Sequence, residues 1–88
     1  MERIHPIPAG ISYEGRGLCL ACFSDGAIVE MVYARDVCPN LSKKHGDGAS
    51  SADYYRSDIR LRRKYHELSG RYQRVTLGIA VKREFVPI

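Results

Sequence analysis

Residues 50–69, SSADYYRSDIRLRRKYHELS, followed by Gly70, decide how the rest of the chain is read. At about 100° per residue, Tyr54, Leu61, Tyr65 and Leu68 fall in one narrow stripe, which predicts an amphipathic helix. Ser50 stands where an N-cap is wanted. Asp53, three residues on, completes an S-x-x-D variant of the capping box and puts an acid at the positive end of the helix. Gly70 supplies a C-terminal stop. Nearly opposite the stripe lie Arg56, Arg60 and Arg63, with Lys64 at the margin, while Tyr55, Ile59 and His66 form a second, weaker apolar patch.

Such a stripe needs a partner surface, and the flanking sequence provides one. Upstream, LCLACF and IVEMVYA enclose Asp25-Gly26, residue types that accept the positive φ of a type I′ turn. A two-residue loop pairs Cys22 with Val29, Leu20 with Met31 and Leu18 with Tyr33 on one face, which is wholly apolar and is expected to meet the helix. Phe23–Ile28, Ala21–Glu30 and Cys19–Val32 line the other face, to be covered by the N-terminal arm or a partner. Downstream, residues 72–81 alternate strictly, with Val75, Leu77, Ile79 and Val81 on one side. They read as a half-buried strand, with Gly78 a candidate bulge. The tail Phe85-Val86-Pro87-Ile88 can add an edge.

The rest is connective. Pro6 and Pro8 make residues 1–10 an extended arm, Ile11 to Tyr13 can form a short edge strand, and Glu14-Gly15-Arg16-Gly17 reads as a turn. Residues 35–50 read as a long polar loop. The expected fold is a single α+β domain over residues 1–88, ordered β-β-β-α-β. One helix packs on one face of an antiparallel sheet of three to four strands.

Composition bounds the function. The hydrophobic fraction of 44% is that of a globular protein, and the net charge of +4 is lopsided. Residues 1–50 carry five basic and six acidic groups, whereas residues 51–88 carry nine and four. That bias favours an anionic partner for the C-terminal half. Three cysteines make an odd count, against a closed disulfide framework. The N-terminus lacks the continuous apolar core of a signal peptide, and no apolar run approaches the ~20 residues of a membrane span. A cytoplasmic protein without membrane association is expected.

Four constellations bear on chemistry. Cys19, Cys22, Cys38 and His45 have a spacing that fits a Cys3His zinc site. Residues three apart on a strand point to opposite faces, however, so Cys19 and Cys22 read better as buried apolar side chains. A nucleophilic pair of Cys38 or Cys22 with His45 or His66 has no supporting local pattern. Gly46-Asp47-Gly48 lacks the GK[ST] of a P-loop and reads as linker. The fourth is basic and aromatic: Arg56, Arg60, Arg63 and Lys64, aided by Arg71, Arg74, Lys43 and Lys44, with Tyr55 and Tyr72 as stacking groups.

The function these features predict is that of a small non-enzymatic basic module without a cofactor. It would bind nucleic acid through phosphates, with low sequence specificity. The alternative is a compact protein-binding inhibitor or adaptor, of the kind viruses and mobile elements direct at host machinery, docking on an acidic protein surface. A homodimer through a Cys19/Phe23/Val32 face is compatible with either.

Overall fold

A computed structural model describes residues 5–11, 17–39 and 59–88. Their elements are β1 (His5–Pro6), β2 (Gly17–Ser24), β3 (Ala27–Tyr33), α1 (Ala34–Val37), α2 (Ile59–Ser69), β4 (Arg74–Val81) and β5 (Glu84–Pro87). The five strands form one antiparallel sheet in the order β1-β5-β4-β2-β3. The α+β class is as the sequence predicts, but the sheet has five strands rather than three or four. The additional strand comes from the arm, where His5 pairs with Phe85 and Pro6 with Glu84. A proline is tolerated there because an edge strand needs few donors. At Ile11 no strand forms; its N–H donates to the Pro8 carbonyl at 3.2 Å in a turn whose Gly10 has φ +95°.

The β2–β3 hairpin turns at Asp25 (φ 53°) and Gly26 (φ 78°), both left-handed as a type I′ turn demands. Gln73 ties the turn to the strand beyond it: its side-chain oxygen accepts from the Asp25 N–H at 2.5 Å, and its own N–H donates to the Phe23 carbonyl at 3.1 Å. Pairing begins as expected with Ser24↔Ala27 and Phe23↔Ile28, then shifts by one residue, so that Cys22 meets Glu30 instead of Val29. Val29 is the extra residue of a β-bulge and is 47% exposed. Side chains alternate with period two, so the shift exchanges the faces of β3 from that point on. Val32 joins Leu20 beneath the helix, while Met31 and Tyr33 move to the far side. Without the bulge, Glu30 would sit opposite Ala21 on the face away from the helix, among apolar side chains. With it, Glu30 lies where Tyr72 can reach it.

Two apolar clusters result, one on each side of the sheet. Leu20, Cys22, Ala34, Cys38, Leu61, Leu68 and Val75 form the helix-side cluster. Full burial of Leu61 and Leu68 contributes about 1.5–3 kcal/mol each. Tyr65 packs against its edge as the stripe predicts, whereas Ile59 and His66 of the weaker patch are exposed. Cys19, Ala21, Phe23, Ile28, Ala80 and Phe85 form the second cluster, and Ile7 and Ile11 of the arm pack on it with Met31 and Tyr33. Phe23 anchors it, with the His5 ring 5.4 Å away and the Phe85 ring 6.2 Å away, both edge-on.

Two glycines act differently from their sequence reading. Gly78 is no bulge, for β4 runs in unbroken register past it on both sides, to Cys19 and to Pro87. Its role is close approach: a Cβ there would lie 2.4 Å from the Phe85 ring and 2.5 Å from the Val86 carbonyl oxygen. Gly70 is not a left-handed cap, since the only positive-φ glycines among the described residues are Gly10 and Gly26. The C-terminus of α2 is closed instead by hydrogen bonds. The Ser69 hydroxyl donates to the Tyr65 carbonyl at 2.8 Å, and the Leu68 carbonyl accepts from both Arg71 and Tyr72. The expected cap at Ser50, the capping box and Tyr54 lie outside the described residues.

Candidate anion-binding groove

The sequence reads a loop from Arg35 onward, but Ala34–Val37 forms a helical turn, α1, and Cys38 behind it is fully buried. Apolar Ala34 and Cys38 are drawn into the helix-side cluster, which folds α1 back over the sheet and brings it against α2. Between them lies an open groove of about 490 Å³, lined by Val32, Asp36, Val37, Arg60, Arg63, Lys64 and Glu67. Arg60, Arg63, Lys64 and Glu67 follow a spacing of three and four, so they form one longitudinal stripe of α2. Val32 and Val37 contribute an apolar floor. Val32 belongs to β3, whose outer edge pairs with no other strand among the described residues.

The charges are partly matched. Lys64 Nζ lies 3.0 Å from Glu67 Oε2, and Arg71 lies 3.8 Å from Glu67 Oε1. The Arg63–Glu67 pair that i,i+4 spacing suggests is thus replaced by Lys64 and Arg71, both competing for one carboxylate. Arg60 and Arg63 are exposed. Among the described residues, and counting Arg71 at the end of the stripe, four cations stand beside two carboxylates, Asp36 and Glu67, an excess of positive charge.

Of the basic residues singled out in the sequence, the fold brings Arg60, Arg63 and Lys64 together and sets Arg71 at their end. Arg74 belongs elsewhere. Its guanidinium lies 4.1 Å from the centroid of the Phe23 ring, on the far face of the sheet, where Arg35 also stacks on Tyr33 at 5.6 Å. Arg56, Lys43, Lys44 and Tyr55 lie outside the described residues. Tyr72 is not a free stacking ring: its hydroxyl donates to Glu30 Oε2, and Arg71 lies over it at 5.6 Å. The Glu30 carboxylate, with burial second, raises the phenol above its ordinary pKa. The sequence points to neither Asp36 nor Val37 of the other wall, and it places Val32 of the floor on the opposite face of the sheet. The clue available was the apolar spacing of Val37 and Cys38 after Ala34, at the start of a stretch otherwise read as polar loop.

The cysteines divide between the two clusters. Cys19 packs on the far face, Cys22 and Cys38 on the helix side, and all three are fully buried thiols outside any disulfide. Cys19 and Cys22 cannot share an ion across the sheet, the described residues hold no group of three or more metal-ligating side chains, and His45 lies outside them. Burial pushes the Cys19 thiol up to about 12. Burial, then the Glu30 charge, pushes Cys22 to about 11, so neither is a thiolate nucleophile at neutral pH. The Cys19/Phe23/Val32 dimer face does not exist as a surface, because Cys19 and Phe23 are buried and the bulge puts Val32 on the opposite side.

The chain matches no protein-family model, and no curated protein is detectably similar to it. No helix among the described residues is long and apolar enough to cross a membrane.

Proposed function

We propose that this protein is a non-enzymatic binding module whose α1–α2 groove docks an acidic segment of a partner protein, as an inhibitor or adaptor does. The observation that carries this reading is the mixed character of the groove. Arg60, Arg63 and Lys64 line it beside an apolar floor of Val32 and Val37 and two carboxylates, Asp36 and Glu67. A phosphate backbone gains nothing from valines and is repelled by carboxylates. A protein segment can satisfy all three, with acidic side chains for the cations, apolar ones for the valines and N–H or basic donors for the carboxylates.

Nucleic acid is the second reading, favoured by the exposure of Arg60 and Arg63 on one helix face. It would be held through phosphates with little sequence preference. Dispersal of the other expected contacts weighs against it, since Arg74 packs on Phe23 and Tyr72 is engaged by Glu30.

The test is co-purification with the wild-type protein and with R60E/R63E, each before and after nuclease treatment. A stoichiometric protein partner that resists nuclease and is lost on charge reversal is the expected result. Recovery of nuclease-sensitive material transfers the function to nucleic acid, and equal recovery by wild type and variant removes the groove from either function.

A further inference from the structure

Resting on the acidic-segment reading, we propose that Glu67 is a built-in competitor for the partner: it occupies an anion seat on α2, and a partner carboxylate binds by displacing it from Lys64 and Arg71. The side chain already sits as a ligand would. Glu67 Oε2 lies 3.0 Å from Lys64 Nζ and Oε1 lies 3.8 Å from Arg71, so one carboxylate spans two cations about two helical turns apart. Arg71 is also held from behind. Its guanidinium lies over the Tyr72 ring, 5.6 Å from the centroid, and the Tyr72 hydroxyl is fixed by Glu30 of β3. The seat is therefore supported from across the fold and keeps Arg71 in place when Glu67 leaves.

Helix stability does not account for Glu67. It stands in the last turn of α2, where the unsatisfied carbonyls carry partial negative charge and an acid is unfavourable. Its side chain is 53% exposed, so both ion pairs are weak and readily broken. A weakly held internal carboxylate sets a threshold for binding. A simple polyanion gains little more from Lys64 and Arg71 than Glu67 gives up. A segment that also sets apolar side chains on Val32 and Val37 gains more than it displaces. Glu67 thus makes the groove selective for acidic segments that carry apolar residues.

The experiment uses the full chain, a synthetic peptide of about eight residues alternating glutamate and valine, and a single-stranded oligonucleotide of equal charge. Binding is read by fluorescence anisotropy for the wild type, E67Q, D36N and K64Q/R71Q, and for E67Q combined with K64Q/R71Q. Glu67→Gln should tighten peptide binding by about three- to fivefold, the worth of an exposed pair, and leave the thermal midpoint unchanged. It should favour the oligonucleotide by a larger factor, so that selectivity falls. In the K64Q/R71Q background the same substitution should change nothing. Asp36→Asn removes the same charge from the other wall and should tighten binding less than Glu67→Gln does.

Equal gains from E67Q and D36N, with or without Lys64 and Arg71, would reduce Glu67 to net charge and overturn displacement while leaving the acidic-segment reading intact. Weaker peptide binding by E67Q, or a lower thermal midpoint, would do the same by making Glu67 a support for its neighbours. Oligonucleotide binding with no peptide binding by either wild type or E67Q overturns both.

Discussion

The Tyr72 hydroxyl donates a hydrogen bond to Glu30, a residue 42 positions earlier in the chain, and so ties the turn after α2 to the bulged edge strand β3. The contact exists only because the bulge shifts Glu30 onto the helix side of the sheet. Glu30 is thereby satisfied at the rim of an apolar cluster, and the edge that borders the groove is held in place from behind.

This link should be visible as a pH effect. The carboxylate raises the Tyr72 pKa, so the folded state holds that proton more tightly than the unfolded chain. The contribution is full below about 10, the ordinary tyrosine value, and is lost as pH rises through the higher folded-state value. The two raised thiols act in the same direction, from 9.0 upward through about 11 for Cys22 and about 12 for Cys19. Urea unfolding should therefore give a falling midpoint above about pH 9. Tyr72→Phe should lower the midpoint at neutral pH and flatten part of that fall. A midpoint independent of alkaline pH would contradict the contact.

The same burial predicts inert thiols. In the native protein at pH 8, Cys19, Cys22 and Cys38 should react with a disulfide reagent only at the rate of unfolding, and all three should react promptly in denaturant. One thiol reacting fast without denaturant would show that its cluster opens locally.

The two glycines at 70 and 78 should respond oppositely to alanine. At Gly78 a Cβ would lie 2.4 Å from the Phe85 ring, with a backbone oxygen at 2.5 Å that cannot step aside, so Gly78→Ala should destabilise by about 3 kcal/mol or more. At Gly70 the nearest atom is 3.6 Å away and φ is not left-handed, so Gly70→Ala should be neutral or stabilising by up to about 1 kcal/mol. Denaturant titration of both variants separates close approach from capping; the reverse order would refute both assignments.

The β4–β5 turn places Lys82 (φ 48°) and Arg83 (φ 65°) in the left-handed region without a glycine. Each such residue is strained by about 1–2 kcal/mol, and Asn-Gly is the pair that suits this turn. Replacing them as K82N/R83G should raise stability by about 1 kcal/mol, read as an increase in thermal midpoint. A decrease would mean that the side chains of Lys82 and Arg83, rather than the backbone, hold the hairpin.

Much of this architecture was legible in the chain because it rests on local chemistry. Asp25-Gly26 specifies its turn through the φ values those residues accept, and Leu61, Tyr65 and Leu68 specify a buried helix face through spacing alone. The outward direction of Arg60 and Arg63 follows from the same periodicity. Three decisions were not local. The bulge at Val29 depends on where a charged Glu30 can be satisfied, and its partner Tyr72 lies across the fold. The arm becomes a strand only because β5 offers an edge to pair with. The groove appears only when Ala34 and Cys38 are drawn into a core that the distant Leu61 and Leu68 complete. Helix and turn preferences are settled within a few residues, and the sequence by itself determined them. Register, face and groove depend on which distant side chains compete for the same burial, and that competition is decided only by the tertiary structure.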